Sequence, residues 1–315
     1  VPLGSRIGAD LVTLGKVHFL LPVFFALSAA LSNAFATVLQ RRAALSVPRS
    51  QGFRAGLILD LLRRPVWLAG ILTVILAGVF QALALVTGAL TIVQPLFVLE
   101  LPFTLLVASL FAHHGMPRLA WFAVAGVVAG LGVALAGASP SGNRTRVEID
   151  RWLPALAVCA GVVVVLSLVA LKRPEGRARA AMLGTAAAVS YALTAGLMKT
   201  AMHILADDGL VAFFLSWQSY AFGAAGVAAL FLLENAMQAG PLVASQPALT
   251  LGDATVSLTL GILVYEEHVR AGWWLVPEVL GIALIVTGVF ALSRIPAADS
   301  PRTPEEAARG HADAQ

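Results

Sequence analysis

LTIVQPLFVLELP, residues 90–102, is apolar almost throughout and yet carries Gln94, Pro95, Glu100 and Pro102. Glu100 lies twelve residues beyond Gly88, which at 1.5 Å per residue places it about 18 Å into a hydrocarbon core of roughly 30 Å. An ionised carboxylate at that depth costs about 2.5–3.5 kcal/mol, so it is expected to face a cavity or a partner. The stretch therefore reads as a membrane helix with a candidate functional group at mid-height.

The rest of the chain supports a membrane setting. Its 315 residues are 59% hydrophobic and only 12% charged, and the mean hydropathy is +0.86, which excludes an ordinary soluble domain. Apolar runs long enough to span a bilayer recur at 18–40, 65–87, 89–112, 118–137, 152–171, 180–203, 209–233, 240–264 and 272–293. They stay apolar for about twenty residues rather than alternating with period two, so they predict helices and not barrel strands. The first run is too long for a signal peptide and is followed by QRRAA rather than a small-residue cleavage site. The single cysteine, Cys159, lies within the fifth run and offers no intrachain disulfide.

Positive charge gives an orientation. With nine spans, fourteen Lys and Arg fall on one side, among them Arg41, Arg42, Arg63, Arg64, Arg177 and Arg179, and six on the other. The amino terminus, with an extracytoplasmic segment 1–17, is predicted outside and the carboxyl terminus inside. Residues 295–315, polar and rich in Pro and Ala, are expected to be a disordered cytoplasmic tail. Arg outnumbers Lys by 18 to 3, which points to a GC-rich bacterial genome and hence to the cell (cytoplasmic) membrane.

The opening stretch also has a counterpart. GALTIVQP from Gly88 aligns without gaps to GPLVASQP from Gly240, an offset of 152 residues. Upstream, AALSNAFATVLQRRA from Ala29 pairs with AAVSYALTAGLMKTA from Ala187, and downstream each half closes with a Gly-rich run, GVVAGLGVALAG and GIALIVTGVFAL. Small residues there would let helices approach closely. The expected fold is thus an all-α membrane protein of about nine transmembrane helices. A four-helix repeat, 18–137, and a second, 180–293, are joined by a linker helix at 152–171. Because the linker adds one crossing, the second repeat enters inverted, which places a binding site at the repeat interface near the midplane.

QPALTLGDATVSLTLGILVYEEHV followed by LGIALIVTGVFAL resembles the drug/metabolite transporter (EamA-like) superfamily, whose repeats pair a Pro-containing helix ending in an acidic turn with a Gly-rich closing helix. Glu266 and Glu267 match the acidic turn; in the first copy FAHHGMP puts His113 and His114 there instead. The layout of nine spans with a long basic first loop resembles the NIPA-type magnesium transporters. The superfamily implies secondary transport of small metabolites or drugs; the subfamily implies divalent cation uptake.

Under the 152-residue offset Glu100 falls opposite Gly252, beside Asp253, so the two carboxylates are quasi-equivalent. Gln246, Thr250, Asp253 and Ser257 follow at spacings of three and four, a polar stripe on an apolar helix. With Gln94 these are the candidate substrate, proton or cation ligands. Candidates for lining the same cavity are Asn33, Thr37, Gln81, Tyr191, Trp217, Gln218, Tyr220 and Glu278, with Gln40 sharing the face of Asn33 and Thr37. Glu278 is placed where it could pair with Lys199, and Lys199 alternatively snorkels to the outer surface near Asp207 and Asp208. Adjacent His113 and His114 point about 100° apart on a helix, poor spacing for a metal.

Three functions remain open. One is a secondary transporter of a small metabolite, drug or cationic solute, in which Glu100, Asp253 or both exchange a proton or bind a cationic group. Another is a magnesium or other divalent cation transporter, with carboxylate and amide oxygens as hard ligands; Glu100 and Asp253 would then be the metal ligands. A membrane-embedded enzyme is the remote alternative, since no HExxH, P-loop or GxSxG occurs. No cofactor is expected. The partners expected are membrane lipid, the small-molecule or cation substrate and a second copy of the chain in a homodimer, with no nucleic acid.

Overall fold

The computed structural model describes residues 20–39, 42, 65–112, 116–139, 144–145, 147–240, 242–270 and 272–294. The expectations for segments 1–17 and 295–315, and for Gln40, His113 and His114, fall outside these. Helices occupy the apolar runs. They are α1 (Leu20–Leu39), α2 (Pro65–Thr87), α3 (Leu90–Leu96), α4 (Glu100–Ala112), α5 (Arg118–Ala138), α6 (Ile149–Leu171), α7 (Arg177–Leu215), α8 (Trp217–Ala239), α9 (Leu242–Leu263) and α10 (Leu275–Ser293). α3 and α4 are joined by a 3-10 turn, Phe97–Leu99, into one broken crossing.

The break lies between two prolines. Pro95 and Pro102 each lack the N–H that would bond four residues back, and the Pro102 ring crowds the Val98 carbonyl. The corresponding segment of α9 keeps Pro247 but has Ala254 where the offset would put the second proline, and α9 runs unbroken past Asp253. The sequence difference at one position thus accounts for a broken helix in one half and a continuous one in the other.

Eight segments among the described residues are both long and apolar enough to cross a membrane, which makes the chain an all-helical, multi-pass membrane protein. α9 is 22 residues long but stands outside those eight, because Gln246, Thr250, Asp253, Thr255, Ser257 and Thr259 dilute its apolar character. The seventh run, expected at 209–233, begins its long helix only at Trp217. Gly209, at φ +85°, interrupts α7 before a last short turn that ends at Leu215.

α7 is the central element, packed by α6, α8 and α9. Of its most apolar stretch 72% is buried, against 11% for α6. The outer faces are apolar as well, as with Leu153 and Val165 of α6 and Phe231 of α8. A surface of that kind suits lipid rather than water. The Gly-rich closing helices α5 and α10 pack against each other as the small residues suggested. A Cβ on Gly130 would come within 2.6 Å of the Gly281 carbonyl oxygen, and one on Gly281 within 2.5 Å of the Gly130 oxygen. Close backbone approach here depends on both residues being glycine.

Candidate functional site

Glu100 opens α4 directly after the 3-10 turn, and Asp253 sits halfway along α9. Both line one cavity of about 420 Å³. Gln94, Gln246 and Thr250 line it too, together with Asn33 from α1, Gln81 from α2 and Tyr191 from α7. Its apolar walls include Val74, Phe97 and Leu233. The polar groups come from five crossings, with Asp253 halfway along α9.

Among the described residues each carboxylate has one side-chain donor. Asn33 Nδ2 donates to Glu100 Oε2 at 3.4 Å, and Ser257 Oγ donates to Asp253 Oδ1 at 3.2 Å. Both bonds are long, so the carboxylates keep acceptor capacity for a ligand. Gln94 is only 2% exposed, and its Nε2 has no hydrogen-bond partner among the described residues. A buried amide donor in that condition costs free energy unless something polar occupies the cavity.

Five of the expected lining residues lie elsewhere. Thr37 is exposed on α1. Trp217, Gln218 and Tyr220 belong to the first turn of α8, not to its middle, because the helix starts at Trp217. Trp217 packs edge-on against Trp152 at 6.4 Å, Gln218 is half-buried off the cavity, and Tyr220 is 67% exposed with its hydroxyl on the Phe214 carbonyl. Glu278 lines a different, smaller cavity with Thr91 and Thr255. Ser257 is fully buried and reaches the site only through Asp253.

The expectation for Lys199 is overturned outright. It neither snorkels outward nor meets Glu278. Its Nζ donates to Glu267 Oε1 at 2.7 Å, with both side chains 0% exposed. Glu267 at the same time caps α3. The N–H of Leu90 donates to Oε1 at 2.7 Å and that of Thr91 to Oε2 at 2.8 Å, so an anion sits at a helix N-terminus with its dipole and free N–H groups. The ammonium lies 4.5 Å from the centre of the Tyr265 ring. The Tyr265 hydroxyl donates to the Gly196 carbonyl at 2.6 Å and shares a 2.7 Å bond with Thr200 Oγ1.

The neighbouring carboxylate behaves differently. Glu266, at φ +52°, turns outward to form ion pairs with Arg144 and Arg151. The acidic turn thus divides its labour between a buried clamp and an exposed charge cluster. Two signals in the sequence pointed toward the clamp. A lysine in the apolar GLMKTA run requires a partner, and the first N–H groups of a helix starting at Leu90 require an acceptor. Neither signal says that one carboxylate, 68 residues from the lysine, serves both.

No family model matches the chain, and no solved structure matches it. Among curated proteins, the uncharacterized protein Cgl0250/cg0304 of Corynebacterium glutamicum is 32% identical over 282 residues. The alignment covers 87% of this chain and 95% of that protein. Identity at this level across most of both chains shows kinship, and the chain belongs to the same family as this Corynebacterium protein.

Proposed function

We propose that the protein is a secondary transporter of a small metabolite or cationic solute, working by alternating access, and not an enzyme. The observation that carries this reading is the shared cavity, in which Glu100 and Asp253 stand among amides at mid-height. Intramembrane carboxylates on a cavity wall mark ion and substrate paths, and broken helices beside them are a recurring feature of transporters. The two QP helices supply matching groups, Gln94 with Glu100 and Gln246 with Asp253, which supports two repeats of inverted sense. In the orientation suggested by the Lys and Arg distribution, the Glu267 turn faces outside. The Lys199–Glu267 clamp closes that end, and opening it requires α3 to leave Glu267.

Reconstitution in liposomes tests the reading. Substrate-dependent proton flux is expected with the wild-type chain and is lost in Glu100→Gln and in Asp253→Asn, with expression intact. Unchanged proton coupling in both variants would sink it.

A NIPA-like magnesium transporter is the second reading, favoured by the oxygen-rich donor set. Among the described residues no three His, Cys, Asp or Glu come together, so the two carboxylates would have to be completed by amide oxygens or water. Thermal stabilisation by magnesium that disappears in Asp253→Asn decides for this reading over the first.

A further inference from the structure

Beside the central cavity lies a second one of about 140 Å³. It is walled by α3, α5, α9 and α10 and is apolar except for Thr91, Thr255 and Glu278. Two of these end in buried atoms with no hydrogen-bond partner among the described residues, Thr91 Oγ1 and Glu278 Oε2. Thr255 donates its hydroxyl proton to the Leu251 carbonyl, which leaves its oxygen free to accept. The cavity wall thus carries one carboxylate and two hydroxyl oxygens, that of Thr255 on an exposed residue, and is hydrocarbon elsewhere.

Its position relative to the central cavity is set by helix register. On α9 the central cavity takes Gln246, Leu249, Thr250 and Asp253, whereas the second takes Leu251, Ala254, Thr255 and Leu258. The second set is displaced toward the Glu267 turn. On the broken crossing the second cavity takes Thr91 and Pro95, and the central one takes Gln94, Phe97, Glu100 and Leu101, so the second again reaches further toward the start of α3. Val98, in the 3-10 turn, is 1% exposed and lines both. One side chain at the helix break is therefore a shared wall between a two-carboxylate cavity and a one-carboxylate cavity.

We propose that the second cavity binds a small primary amine with an apolar body, its ammonium on Glu278 and the Thr91 and Thr255 oxygens, its alkyl part against Leu258 and Ile282. An ammonium donates three hydrogen bonds and carries the compensating charge; the apolar wall rejects a strongly hydrated metal ion. The site is a station on the Glu267 side of Val98. Its place on a translocation path rests on the transporter reading, but the binding itself does not.

The test uses the purified full chain in detergent, with n-hexylamine as probe and hexanol and hexanoate as controls. Hexylamine raises the apparent Tm of the wild type, at a half-maximal concentration at least about tenfold below that of hexanol, since a charge-assisted contact separates the two. Glu278→Gln loses that rise, and Ile282→Trp, which fills the cavity without touching its charge, loses it as well. The Glu100→Gln/Asp253→Asn double variant keeps it. Equal stabilisation by hexanol, a rise that survives both Glu278→Gln and Ile282→Trp, or a rise lost in the Glu100/Asp253 double variant overturns the proposal. Absence of proton-coupled flux from wild-type liposomes alongside Glu278-dependent amine binding would refute the transport reading and leave the site standing.

Discussion

Replacing Glu267 by glutamine perturbs three hydrogen bonds at once. The carboxylate accepts from Leu90 N–H at 2.7 Å, Thr91 N–H at 2.8 Å and Lys199 Nζ at 2.7 Å, all without access to water. A glutamine keeps one oxygen and sets an NH2 group against donors on the other side. Whichever way the amide turns, at least one donor loses its acceptor, at about 1–3 kcal/mol for a neutral N–H and more for an ammonium. The Lys199 charge also loses its counter-ion, and breaking a buried pair costs about 3–5 kcal/mol. Glu267→Gln is therefore expected to destabilise by about 3–5 kcal/mol in equilibrium unfolding from mixed micelles.

Lys199→Met costs less, because Glu267 keeps the α3 N–H groups and the helix dipole, a favourable setting for an anion worth up to about 2 kcal/mol. The double variant Lys199→Met/Glu267→Gln should be less damaged than the two single changes added together. Glu266→Gln is the built-in control. Its side chain is 34% exposed, its partners Arg144 and Arg151 are 47% and 41% exposed, and pairs of this kind contribute about 0–1 kcal/mol. The reasoning is refuted if Glu267→Gln costs no more than Glu266→Gln, or if the Lys199 and Glu267 changes add without coupling.

Three further outcomes follow from backbone geometry. Gly281→Val drives a Cβ to within 2.5 Å of Ala134 N and Gly130 O, backbone atoms that cannot swing away, so it should lower stability by about 1–3 kcal/mol or more. Gly132→Ala, with nothing within 4 Å of the added Cβ, should by the same unfolding measurement gain up to about 1 kcal/mol from helix propensity. Pro102→Ala restores a donor for the Val98 carbonyl and favours a continuous helix through residues 97–102. It should retain or raise thermal stability while reducing substrate-dependent proton flux in liposomes, because Glu100 rotates relative to Asp253. Undiminished flux would show that the helix break does not position Glu100.

What could be read from the sequence, and what could not, divides along a physical line. The position of a group along its own helix is set by 1.5 Å per residue, which placed Glu100 at mid-helix, and the 152-residue offset set Asp253 beside its counterpart; one cavity takes both. It failed for Trp217 and Tyr220 because depth was counted from a helix start at residue 209, whereas Gly209 and Ser216 shift the start to Trp217. Partner choice follows a different rule. Lys199 had carboxylates available at Asp207, Asp208 and Glu278, and each looks adequate by charge alone. Glu267 is the carboxylate it meets because α3 presents two free N–H groups at the same point. The ammonium and the helix end together offset the cost of removing one carboxylate from water, and neither is adequate by itself. That convergence is a property of three segments meeting at residues 90, 199 and 267, and no window along the chain contains it. The same reasoning explains why Glu267 is held more firmly than Glu100 or Asp253. A group bound from three directions is held in place, whereas Glu100 and Asp253, each with one long side-chain hydrogen bond among the described residues, keep acceptor capacity unused.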